Sequence, residues 1–160
     1  YNEDGRTFLN LRANPKAGQY DVIFGDAFSA YAIPYHLTTL EALSRMRDML
    51  VPDGAVIVNV ISSIESETGK FLRAEYQTFR EIFPQVYVFL VSSNNGNAPQ
   101  NIILVALKSD KPASFISSDS EIRQYLTRRW TKEIPADMPV LTDDYAPVDQ
   151  YIIPVINAKL

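Results

Sequence analysis

The stretch Tyr20–Ser29, YDVIFGDAFS, decides how the rest of the chain is read. Its apolar run stops at a carboxylate, Asp26, and small and polar residues follow. β-Branched and aromatic side chains along the run predict a strand. Apolar residues on both of its faces predict a parallel sheet covered by helices. Three further runs read as strands: AVIVNVI (55–61, interrupted only by Asn59), QVYVFLV (85–91) and NIILVAL (101–107). The last two are separated by SSNNGNAPQ, whose Asn-Gly is a turn signal, so the fourth strand is expected to return antiparallel to the third.

Helical patterns fill the gaps between these strands. GRTFLNLRA predicts a short helix from Gly5 to about Ala13, followed by the polar turn NPKAG. After the loop AYAIPYH, a helix is expected from about Thr38 to Leu50, with Thr38 and Glu41 as a capping box and Leu37, Leu40, Leu43, Met46 and Leu50 as its core stripe. VPDG reads as the turn behind it. SETGKFLRAEYQTFREIF is the next helix, ended by Pro84. SDSEIRQYLTRRW is another, capped by Ser118, Asp119 or Ser120. The tail LTDDYAPVDQYIIPVI is Pro-broken, apolar and expected to pack back onto the domain. Alternation with long crossovers predicts an α/β domain with a mostly parallel sheet and one antiparallel strand.

The 160 residues suit one domain, 46% hydrophobic and 21% charged. A formal charge of −4 and no Lys/Arg run argue against nucleic acid as a partner; Arg128-Arg129 beside Trp130 is too small a patch. With no cysteine, thiolate nucleophiles, disulfides and Cys-ligated zinc are excluded, and one histidine leaves no His-rich metal site. No apolar stretch reaches the roughly 18–20 residues that span a bilayer. The chain begins with Tyr1 rather than Met and reads as a piece of a longer protein.

Ligands of open α/β sheets bind beyond the carboxyl ends of the strands, where Asp26 falls. There Asp26 either satisfies loop amides as a turn residue or accepts a proton from, or holds, an amine. Asp4, in EDGR, is either an N-cap or an acceptor for a ligand amino group, with Gly5 allowing close approach. His36 is a loop residue or an acid-base group without a visible partner. Asn59 either faces Asp26's cleft or ties down a loop, and TDDY (142–145) is a capped turn or a holder of a polyamine. Tyr76 and Tyr87 read as packing.

EDGRTFLNLRANPKAGQYDVIFGDAFS resembles the central segment of spermidine synthases, the polyamine aminopropyltransferases. LVPDGAVIVNVIS and FREIFPQVYVFLVSSNNGN are similar to the family's following segments. IPYHLTTLEAL and LTDDYAPVD resemble the spermidine synthase-like proteins that are fused to membrane-spanning segments.

The resemblance implies the C-terminal half of a class I methyltransferase-like (Rossmann-like) domain over residues 1–160, with the glycine-rich half of the nucleoside site upstream. It implies decarboxylated S-adenosylmethionine (or S-adenosylmethionine) as cosubstrate, no cofactor and no metal. Asp26 would be the catalytic acid-base group, Asp4 and Gly5 would meet the nucleoside, and Ser29, Asn59 and Asp143 would lie on the side of an amine such as putrescine. The family's second Asp is here Ser29, its next strand-end Gln-Gly-Glu corresponds to Asn59-Val60-Ile61, and its hairpin Tyr is replaced within SNNGN. These departures keep two alternatives open: an S-adenosylmethionine-dependent methyltransferase-like domain, and a non-catalytic nucleoside-binding or assembly module. A half-domain exposes a sheet edge, so a homo-oligomer is expected. The expected location is the cytoplasm, or the cytoplasmic face of a membrane if a membrane-spanning region lies upstream.

Overall fold

In the computed structural model, which describes residues 2–12, 18–27 and 33–158, the elements alternate as the sequence predicts. They are α1 (Gly5–Arg12), β1 (Tyr20–Gly25), a 3-10 turn (Tyr35–Leu37), α2 (Leu40–Met49), β2 (Leu50–Ser62), a second 3-10 turn (Glu67–Gly69), α3 (Lys70–Ile82), β3 (Gln85–Leu90), β4 (Gln100–Leu107), α4 (Ser120–Leu126) and α5 (Val148–Asn157). The sheet order is β1-β2-β4-β3. β1 and β2 pair in parallel, and β4 runs antiparallel to both β2 and β3. Three strands therefore share one direction and β4 opposes them.

The alternation of β2 determines where the core lies. Val56, Val58 and Val60 are buried on the face that carries α2 and α3. They meet Leu43, Met46, Phe71, Leu72 and Phe79 from those helices in one apolar cluster. The opposite face is covered less completely. On β1, Val22 and Phe24 are exposed, Phe24 by 73%, so this strand is not buried on both faces as its composition suggested. The physical reason is the face they occupy: Val22 and Phe24 pair with Ala55 and Ile57, on the side of the sheet away from the buried Val56 and Val58.

Three local expectations are corrected. Thr39, not Thr38, caps α2, accepting the Ala42 N–H. Thr38 instead donates to the Tyr35 carbonyl at 2.7 Å, closing the 3-10 turn that Pro34 introduces. The residues VPDG lie inside β2 as an irregularity, where the β1–β2 register jumps from Tyr20↔Leu50 to Val22↔Ala55. The tail is not broken by its prolines: Pro147 precedes α5 and Pro154 lies within it, while Val148, Ile152 and Val155 pack into the core as expected. At α4 the cap is Asp119, whose carboxylate accepts the N–H groups of Glu121 and Ile122.

Candidate functional site at the tip of the first strand

Asp26 follows directly on β1. Gly25 makes this possible, because a Cβ there would stand 3.1 Å from a Val58 methyl group. The close approach sets Asp26 beside Asn59, whose side-chain amide donates to Asp26 Oδ1 at 3.0 Å. Asn59 thus faces Asp26 rather than tying down a loop. It is not at the strand end, however: β2 continues to Ser62, and Asn59 pairs with Ile103 of β4. Its side-chain oxygen is buried and has no hydrogen-bond partner among the described residues. Asp26 itself is exposed and lies between two depressions. One, of about 410 Å³, runs along the helix-covered side and is lined by Gly5, Phe8, Leu37, Leu43 and Phe79 among others. The second, of about 390 Å³, lies over Phe24, Ile57, Asn59 and Ile103.

Asp4 directly precedes Gly5, which lines the first depression. Its Oδ1 accepts the Thr7 N–H at 2.8 Å, so it does cap α1. That backbone bond holds its carboxyl below the usual carboxylate range. Its Oδ2 lies 3.4 Å from His36 Nε2, so His36 has the partner that sequence reading could not see. The two residues are far apart in the chain and meet only through the fold.

Asp143 of the TDDY turn is engaged by α1. Arg6 grips it with both terminal nitrogens, and Thr39 donates to its Oδ1 at 2.7 Å. Burial pushes the Asp143 carboxyl up, but the Arg6 and Thr39 bonds outweigh it and the group sits below its ordinary range. Arg6 also donates to the His36 carbonyl at 2.8 Å and to Thr39 Oγ1 at 3.1 Å. One guanidinium thus ties α1, the 3-10 turn, the α2 cap and the tail together. Ser29 lies outside the described residues.

Two charged groups of α3 also escaped sequence reading. Arg73 is buried and donates to Asp137 and to the carbonyls of Ile64 and Ser66. Glu75 is fully buried, borders the first depression, and neither of its oxygens has a hydrogen-bond partner among the described residues; burial raises its carboxyl well above the ordinary range. The helical pattern gave no sign of either, because each occupies a position within the apolar stripe. Among the described residues no cluster of three or more His, Asp or Glu side chains could hold a metal, and no helix is long and apolar enough to cross a membrane.

No family model matches the chain. It is 34% identical over 106 residues to a polyamine aminopropyltransferase of Vibrio vulnificus, an alignment covering 66% of this chain and 32% of that one. Among solved structures, a probable spermidine synthase from Corynebacterium glutamicum superposes with a TM-score of 0.57 at 24% identity, over 79% of this chain and 42% of that one. A spermidine synthase in complex with the transition-state analogue AdoDATO gives 0.56 at 18% identity, over 97% and 47%.

The chain is similar in sequence to a polyamine aminopropyltransferase and in fold to spermidine synthases.

The structural likeness carries the fold: the α/β arrangement of this chain is similar to the methyltransferase-like one of those neighbours. The chain spans about a third of the length of its curated relative and under half of either solved neighbour. A more distant similarity, 29% over 110 residues, is to an N-terminal histidine N-methyltransferase of Emericella nidulans, covering 67% of this chain and 19% of that one. Both of these relatives are named as transferases.

Proposed function

We propose that these residues are the C-terminal part of an aminopropyl-transferring domain, with Asp26 as its acid-base group. The observation that carries this reading is the position of Asp26: at the carboxyl tip of β1, exposed, held by Asn59 and bordering two depressions. The cosubstrate is decarboxylated S-adenosylmethionine and the acceptor a primary amine such as putrescine. Asp4 and Gly5 meet the nucleoside beside the first depression, which Gly5 lines and whose apolar walls suit a purine. The glycine-rich half of the nucleoside site lies outside these 160 residues.

The chemistry is a displacement. The amine nitrogen attacks the methylene carbon bound to the sulfonium. A C–N bond forms, the C–S bond breaks, and its electron pair goes to sulfur, leaving the neutral thioether methylthioadenosine. An ammonium cannot attack until it loses a proton, and a carboxylate beside it can take that proton and pass it to solvent. The sulfonium is already activated, so positioning supplies most of the remaining acceleration. Asn59 fixes one Asp26 oxygen and leaves the other for the amine. Asp143, bound to Arg6 and Thr39, serves as an anchor of α1 rather than as a direct amine ligand. Ser29 remains a proposed amine-side residue.

A second reading, methyl transfer from S-adenosylmethionine on the same scaffold, is favoured by the similarity to the histidine N-methyltransferase. It differs in its nucleoside product, S-adenosylhomocysteine. Self-association through the outer edge of β1 also belongs to the proposal, since that edge is unpaired among the described residues. The location that goes with this proposal is the cytoplasm, or the cytoplasmic face of a membrane if a membrane-spanning region lies upstream.

Calorimetric titration of methylthioadenosine into the full-length protein tests the assignment. Binding is expected to be lost in Asp4→Ala and largely kept in Asp26→Ala. Full-length protein that does not bind the nucleoside contradicts the reading and leaves the non-catalytic alternative.

A further inference from the structure

The chain's one histidine lies against the carboxylate assigned above to the nucleoside. Thr7 fixes Asp4 Oδ1, so Oδ2 is the oxygen left to meet other groups, and His36 Nε2 stands 3.4 Å from it. Both side chains keep solvent access, 34% for His36 and 55% for Asp4, and each is the chain neighbour of a residue that lines the depression, Leu37 and Gly5. The imidazole is held in place from several sides. Arg6 donates to the His36 carbonyl at 2.8 Å. Tyr35 packs edge-on against the imidazole ring, with centroids 5.5 Å apart. The next residue, Leu37, lies so close to Gly5 that a Cβ there would stand 3.3 Å from its methyl group. The start of α1 and the His36 turn therefore form one packed unit beside the depression. The charged groups around the imidazole are Asp4 and Arg6 from α1 and, through Arg6, Asp143 of the 142–145 turn, whose backbone N–H donates to Glu41 of α2.

We infer that His36 is a positioning residue for Asp4 and makes nucleoside binding at that carboxylate depend on pH. The inference rests on the nucleoside reading of Asp4. A neutral imidazole orients the carboxylate but leaves its negative charge available to accept an exocyclic amino group. An imidazolium pairs with Oδ2, neutralises that charge and sets a positive group beside an N–H donor edge, which it repels. Binding of an adenosyl ligand therefore tightens as rising pH removes the imidazolium proton.

The experiment is calorimetric titration of methylthioadenosine into the full-length protein at about pH 5.5 and about pH 8, spanning imidazole titration. The same titrations are run on His36→Gln, His36→Ala and Asp4→Ala. The wild type is expected to bind roughly tenfold more tightly at the higher pH, the scale of one charge-assisted hydrogen bond. His36→Gln keeps a donor without a titrating charge. It should match the wild type at high pH and show a flat profile. His36→Ala should bind roughly three- to tenfold more weakly at high pH, for loss of the orienting contact. A flat wild-type profile, or a wild-type slope retained in His36→Gln, overturns the inference while leaving the nucleoside reading intact, provided Asp4→Ala loses binding. Asp4→Ala binding as tightly as wild type overturns that reading and the inference with it.

Discussion

The two parallel strands end in opposite ways. At the tip of β1, Asp26 is exposed, has one side-chain bond and borders two depressions. At the tip of β2, Ser62 and Ser63 are fully buried in a closed polar knot. Ser63, Ser66 and Thr68 share a ring of hydroxyl contacts of 2.7–2.8 Å, and Ser62 donates to the Thr68 carbonyl at 2.9 Å. Gly96 of the β3–β4 connection accepts the N–H groups of both Ile64 and Glu65. No side chain fits there, since a Cβ on Gly96 would stand 2.5 Å from the Trp130 ring. The buried Arg73 guanidinium completes the knot. A strand tip whose polar groups are all satisfied from within is a structural device, and one that leaves a carboxylate open is available for chemistry.

The largest expected contrast comes from exchanging the insult between the two tips. Asp26→Asn should lower transfer by roughly 10²–10⁴-fold, the usual worth of a general base, with an unchanged melting curve. Arg73→Met should do the reverse. It removes a buried cation and strands the Ile64 and Ser66 carbonyls, so denaturant unfolding should show a loss of about 3 kcal/mol, while nucleoside affinity in the folded protein holds. A stable, inactive Arg73→Met protein would erase the distinction.

The contrast repeats within α3, two residues apart. Arg73 lowers the Asp137 carboxyl through its hydrogen bonds, so that pair contributes stability above the unfolded pKa of Asp137 and loses it as pH falls through the depressed folded value. Glu75 has the opposite sign. Burial raises its pKa, so its contribution is fully present below the ordinary glutamate value and is lost as pH rises through the raised folded one. Glu75→Leu should therefore stabilise the protein by about 1–2 kcal/mol near neutral pH and flatten the alkaline side of the stability profile. Chemical denaturation across pH checks both signs. A destabilised Glu75→Leu would mean that the carboxyl has a partner that the described residues do not supply.

Smaller effects sharpen the boundary of the site. Asn59→Ala should cost about tenfold in transfer, one hydrogen bond to the acid-base group, with little change in melting. Ser63→Ala should cost about 1 kcal/mol of stability or less and leave transfer alone.

Much of this was legible in the sequence, and the exceptions have physical causes. Four apolar runs with turn signals predicted the strands and their directions, because strand identity is a local property of side-chain pattern. Asp26 was legible because a carboxylate ending an apolar run has few structural explanations. The partners were not legible. Asp4 meets His36, and Arg6 meets Asp143, across separations that only the sheet and its crossovers close. Thr38 misled because Thr39 beside it is an equally good cap, and the 3-10 turn takes the first of the two. The exposed face of β1 was hidden because composition reports apolarity and not what covers it. Glu75 was hidden because a glutamate on a helix is by default assumed to face solvent.

The most direct test of the central claim is chromatographic identification of the nucleoside that the full-length protein releases from decarboxylated S-adenosylmethionine in the presence of a panel of primary amines. The account predicts methylthioadenosine, formed only when an amine is present and abolished by Asp26→Asn. No methylthioadenosine with any amine, or S-adenosylhomocysteine when S-adenosylmethionine is supplied instead, would contradict it.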